Sequence, residues 1–295
     1  MAKDPLRDTT KLNIQDTTKV NIRPGAQTPP HGGLDPNQAP LSRQAQLTFQ
    51  DDIRQAVEFQ KNLLPKELPK LAGYEFGTFF QGARAVSGDH YDFFPRPDGK
   101  LGVVIGDASG KGVAAAMLSA MTRALLHSVP DEALDRPELV LSATNMMLHP
   151  QIKRGMFISM AYLLLDPKKH VVVIANAGHL PTLVWRSRSK LITVHPARGV
   201  VLGAGGPEVF DSRLQVEEVA LDPGDRVLLL TDGVNEAMAP GQREFGMEHL
   251  RRRLVADGDK TSDQLIRNMA TQIDIHRGGG EQSDDITIVT FRRTA

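Results

Sequence analysis

The chain has 295 residues, 40% of them hydrophobic, enough to build one substantial core. Its 35 basic side chains are matched by 35 acidic ones, which argues against a nucleic acid or anionic membrane held mainly by charge. There is no cysteine, so disulfides and thiolate metal sites are excluded.

Residues 1–42 are rich in Pro, Gly, Gln, Asn and Thr and have little to bury, the composition of a disordered tail. Within them "DTTKLNIQ" (8–15) is followed by the near-copy "DTTKVNIR" (16–23), either a phosphorylation or docking motif or a duplication tolerated by a tail. Neither the N-terminus nor any later run has the apolar length of a signal or a membrane span, so a soluble cytoplasmic protein is expected. A linker helix is predicted over 43–66. Phe49, Ile53, Ala56, Gln60 and Leu63 fall on one helical stripe, Ser42 can cap it and Pro65 stops it. Such a stripe serves equally for packing on the same chain or for pairing two copies into a homodimer through residues 43–64.

One domain is predicted over 67–295, because no linker-like segment interrupts it. Strands are expected at 74–82, 101–106, 156–165, 170–176, 181–186, 191–194, 208–219, 226–231 and 286–291. Helices are expected at 112–128, 137–148, 246–255 and 262–276, in two sequential pairs, which indicates α+β layering.

The stretch "LGVVIGDASGKGVAAAMLSA" (101–120) looks like a phosphate-binding loop. A P-loop, however, needs a Gly where Ile105 stands and a Ser or Thr where Gly112 stands. What remains is an acid at a strand end, and the pattern recurs. Asp89 stands ahead of a strand pair, Asp107 and Asp232 end strands, and Asp284 and Asp285 open the last one. Each alone is a turn former. Together, if their strand ends share a rim, they crowd carboxylates in the way hard divalent ions require. The glycines of "DASGKG" and "TDG" let backbone and substrate come close. His179 is isolated and reads as structural, His90 as part of a surface turn, and Lys111 as structural or solvent-facing. The basic "LRRRL" (250–254) reads as a solvated helix face.

In order, "SGDHYDFF", "GDASGKGVAAAML", "NAGHLPTLVWR", "LDPGDRVLLLTDGVNEA", "REFGMEHL" and "SDDITIVTF" resemble the blocks of the metal-dependent PPM (type 2C) serine/threonine phosphatases. The nearest likeness is to the bacterial branch of sporulation stage II E and stress-response sigma-regulator phosphatases, from about residue 60 onward. Asn235 and Ser87 depart from common family choices without removing a ligand.

The resemblance implies an αββα sandwich, two antiparallel sheets flanked by helix pairs, holding two Mn²⁺ or Mg²⁺ ions. By matching, Asp107 and Asp232 are the catalytic pair: Asp107 serves both ions, and Asp232 joins Asp284 on the first. Asp89 and the Ala108 carbonyl serve the second, and Asp285 is a lesser candidate. Arg84 is a weak match, displaced by one position, to the family's phosphate-binding arginine. The implied reaction is in-line attack on phosphorus by a water activated between the ions. The implied substrate is a phosphorylated regulatory protein, of the anti-sigma-factor antagonist kind, with no nucleic acid or membrane partner. The alternative is an inactive scaffold that keeps the fold to bind a signalling partner. A scaffold is free to lose Asp107 or Asp232, and this chain retains both.

Overall fold

The computed structural model describes residues 42–294. The chain divides into residues 1–46 and 47–295. Of the first part only the start of a helix is described, where the Ser42 hydroxyl accepts from the Ala45 N–H at 3.2 Å. The expected tail and its repeat lie outside the described residues, apart from Ser42.

After helix α1 (Arg43–Leu63) come strands β1 (Tyr74–Gln81), β2 (Asp89–Pro95) and β3 (Leu101–Ala108). Helices α2 (Val113–His127) and α3 (Pro137–Leu148) follow, then β4 (Ile158–Asp166), β5 (Val171–Ala177), β6 (Thr182–Trp185) and β7 (Ile192–His195). The last part holds α4 (Pro207–Arg213), β8 (Val216–Ala220), β9 (Arg226–Leu230) and the short α5 (Asp232–Asn235). It closes with α6 (Gly246–Asp257), α7 (Ser262–Arg277) and β10 (Ile286–Arg293).

The strands form two five-stranded antiparallel sheets, ordered β1-β10-β9-β6-β7 and β2-β3-β4-β5-β8. Period-two alternation of apolar side chains decides the layers. In β4, Ala161, Leu163 and Leu165 join Val227 and Leu229 of β9 in the core between the sheets. The alternate residues Met160, Tyr162 and Leu164 pack instead with Leu118, Leu126 and Leu141 of α2 and α3. On the other side Leu228, Leu230 and Ile288 meet Leu250 and Leu254 of α6 and Leu265 of α7. The predicted αββα sandwich is the observed architecture.

Two predicted elements change. The stretch 208–219 is not one strand, because Pro207–Arg213 forms a helical turn with Pro207 in its first turn and Phe210 fully buried. Only Val216–Ala220 continues as a strand. Asp89 does not stand ahead of a strand; it is the first residue of β2, a strand the sequence reading passed over. The reason is local chemistry. Tyr91 and Phe93 enter the inter-sheet core, but His90 and Asp92 point under α2, where His90 Nδ1 meets Ser119 and Asp92 meets Arg123 and His127. Buried polar residues masked the alternation.

Candidate active site

In an antiparallel pair the start of one strand lies beside the end of its neighbour. Asp89, opening β2, is therefore the cross-strand partner of Asp107, near the end of β3. In the other sheet Leu230 at the end of β9 pairs with Ile288 of β10. That register brings Asp232, just past β9, beside Asp284 and Asp285, just before β10. The two rims are stitched together at Asp89. The hydroxyls of Thr231 and Thr287, from the opposite sheet, both donate to its Oδ2, at 2.7 and 2.6 Å.

Asp107, the Ala108 backbone, Asp232, Asp284, Lys111 and His179 line one pocket of about 360 Å³. Of the sequence-predicted carboxylates, Asp107, Asp232 and Asp284 line this pocket, whereas Asp89 and Asp285 do not, and their surroundings differ. Burial, then Asp232, Asp284 and Asp285, push the Asp107 carboxyl from its usual 3.8 up to about 7. Burial, then Asp107, raises Asp89 well above its usual range despite the two threonine hydroxyls. Burial, then Asp284, also raises Asp232, against the pull of backbone N–H groups at the start of α5. Asp285 differs: its Oδ1 accepts from the Ala83 N–H at 2.7 Å and its Oδ2 from the Gly88 N–H at 2.8 Å. It thereby fixes the loop that carries Asp89. The close approach of this segment to Asp232 depends on Gly233, where a Cβ would collide with the Asp285 carbonyl.

Lys111 is not simply solvent-facing. Its Nζ stands 2.8 Å from Asp284 Oδ2 and donates to the Ser283 carbonyl at 2.8 Å. Gly110 and Gly112, with φ of 90° and 75°, supply the left-handed turns that present it. His90 is not on a surface turn: it is 3% exposed and sits 3.2 Å from Ser119 Oγ. Burial lowers it to about 3 and the nearby His179 to about 4, so both stay neutral at physiological pH. His179 lies 2.8 Å from Ser159 Oγ and lines the carboxylate pocket, so it is not isolated, and its buried Nε2 has no hydrogen-bond partner among the described residues. Arg84 is exposed and borders a different hollow, between α1 and β1. Its Nη1 lies 3.4 Å from where a Cβ on Gly112 would be, so it flanks the glycine turn and does not line the carboxylate pocket.

Thr231 and Thr287 belong to none of the predicted site residues. Their only signal is a threonine one residue before Asp232 in "LTDG" and another two residues after Asp285 in "DDITI".

The donor set is oxygen only, and its members raise one another's proton affinity, which fits hard divalent cations. As they stand, no three acidic or histidine side chains among the described residues surround a single point closely enough to enclose an ion. The chemistry of the donors fits such ions; their spacing here is wider than a closed ligand shell.

Residues 97–294 match the Stage II sporulation protein E (SpoIIE) family, a segment that contains every one of these carboxylates except Asp89. The chain is 26% identical over 271 residues to Protein IcfG of Synechocystis, covering 82% of this chain and 41% of that protein. It is 25% identical over 258 residues to the phosphoserine phosphatase RsbU of Bacillus subtilis, covering 85% of this chain and 72% of that one. The fold matches the SiaA-PP2C domain of Pseudomonas aeruginosa with a TM-score of 0.71, at 20% identity, over 84% of this chain and 98% of that domain.

Proposed function

The chain belongs to the SpoIIE family and has the fold of its PP2C-type phosphatase domains, and we propose that it is an active, metal-dependent protein phosphatase acting on phosphoserine or phosphothreonine. The observation that carries this reading is the meeting of carboxylates from remote segments, Asp107, Asp232 and Asp284, at one pocket. In this reading Asp107 serves two Mn²⁺ or Mg²⁺ ions, Asp232 and Asp284 serve the first, and Asp89 with the Ala108 carbonyl serves the second. Asp285 is the weakest candidate ligand, because both its oxygens already accept backbone N–H groups. When bound, such ions neutralise phosphate oxygens and acidify water enough for attack on phosphorus near neutral pH.

The chain's own residues do the positioning. Thr231 and Thr287 hold Asp89 against Asp107 across the seam of the two sheets. Lys111 places a positive charge at the pocket's edge and orients Asp284. Arg84, on the far side of the glycine turn, is at most a contact for a larger substrate.

The substrate in this reading is a phosphorylated regulatory protein, of the anti-sigma-factor antagonist kind, in the cytoplasm; the likeness to a named phosphoserine phosphatase supports its phosphoserine part. No described helix is long and apolar enough to cross a membrane. Pairing of two copies through α1 belongs to the same proposal, since none of its residues is buried and Leu47, Phe49 and Phe59 are exposed.

Phosphate release from a phosphoserine peptide and from an aryl phosphate, with Mn²⁺, with Mg²⁺ and with chelator, tests the reading. Turnover is expected with a metal and lost with chelator. Asp232→Asn is expected to cost about a hundredfold or more. Chelator-insensitive turnover contradicts the mechanism. Inactivity with every metal points to the scaffold reading.

A further inference from the structure

Next to the acid pocket lies a second hollow of about 490 Å³ with the opposite charge. Its lining includes His149, Lys153 and Arg154 on one side and Gly203 and Ala204 on the other. Lys153 and Arg154 are exposed, and neither takes part in an ion pair among the described residues. Unpaired surface cations are common; a pair of them against an acid-lined pocket is a charge pattern with a direction.

The boundary between the two hollows is Phe157, which lines both and is 39% exposed. Its backbone is bound twice to the turn that follows Asp107. The Phe157 N–H donates to Ser109 Oγ at 2.9 Å, and the Phe157 carbonyl accepts from the Ser109 N–H at 2.9 Å. The facing wall is held by α3. Asn145 donates to the Gly205 carbonyl at 3.1 Å and accepts from the Gly203 N–H at 2.8 Å, and His149 Nδ1 lies 3.0 Å from the Gly203 carbonyl. The Phe157 wall is therefore registered to the acid pocket, and the Gly203 wall to α3 and His149, by hydrogen bonds.

We infer that this hollow is a specificity subsite for acidic side chains that flank the phosphorylated residue of a protein substrate. A chain segment that delivers a phosphorylated side chain to the acid pocket must pass its neighbours over the rim. Acidic neighbours that cross Phe157 meet the positive charges of Lys153 and Arg154, which favour them over neutral ones. The inference rests on the phosphatase reading for its substrate, but the subsite can be scored without turnover.

The full chain, with Mn²⁺, is mixed with short fluorescent peptides carrying a non-hydrolysable phosphoserine analogue, flanked either by Glu or by Gln, and binding is read by anisotropy. The acidic peptide is expected to bind about tenfold more tightly at low salt, with the gap narrowing as salt rises. The double variant K153E/R154E is expected to erase that preference, leaving the neutral peptide's affinity and aryl phosphate hydrolysis unchanged. Equal binding of the two peptides by the wild type, or a preference that survives the double variant, overturns the subsite. If no phosphate is released with any metal while the preference holds and follows Lys153 and Arg154, the phosphatase reading fails and the docking site stands.

Discussion

Burial and its carboxylate neighbours hold Asp107 protonated to about 7, against its usual 3.8, so in the ion-free chain its ionisation works against folding. The sign follows from linkage: at low pH both folded and unfolded chains keep the proton and nothing is lost. As pH rises from 3.8 to about 7 the unfolded chain releases it first, and the folded state loses stability through that window. The loss is on the order of 4 kcal/mol if assigned to this one group, and it is shared with Asp89 and Asp232. Melting temperature with chelator should therefore fall from about pH 4 to about pH 7, and Asp107→Asn should flatten part of that fall. An unchanged slope in the variant contradicts the assignment. At this scale the strand-end acids were legible from sequence because Asp89, Asp107 and Asp232 each adjoin a glycine, and Asp284 and Asp285 open an apolar run. The roles of Lys111, Thr231 and Thr287 were not, because each depends on a partner brought by another segment.

Helix α1 meets the domain through Gln60, whose side-chain amide donates to the Ser87 carbonyl at 2.6 Å and accepts from the Ser87 N–H at 2.9 Å. Ser87 lies two residues before Asp89, so the end of this helix is tied to the loop that carries a candidate ligand. The helix also exposes Phe49 near its start and Phe59 near its end, 60% and 64% accessible, a cost in water that a second copy could remove. Sedimentation of the full chain is expected to show a dimer, and F49E/F59E a monomer with the same circular dichroism. A wild-type monomer at every concentration contradicts pairing through α1. Helix limits were legible nearly to the residue where Pro or Gly ends them, as at Pro137–Leu148. Segment 208–219 misled because its valines and phenylalanine suit either state, and tertiary packing of Phe210 chose the helix.

Across residues 47–295 the fold was readable because β4, β9 and β10 each divide their apolar residues between the inter-sheet core and a helix layer. One feature gave no warning. Arg226, which opens β9, is fully buried, donating to Ser262 Oγ at 2.9 Å and Thr290 Oγ1 at 3.2 Å with Glu75 as its counter-charge. Strand order, which no local pattern encodes, is what encloses it. The same order brings the acids of two sheets to one rim, and the function proposed here depends on that rim holding two ions. Calorimetric titration of the metal-free chain with Mn²⁺ tests this most directly. The account predicts two ions per chain for the wild type and the loss of at least one in Asp107→Asn, whose fold is otherwise intact. Identical Mn²⁺ binding by the wild type and Asp107→Asn, or no binding by either, would contradict it.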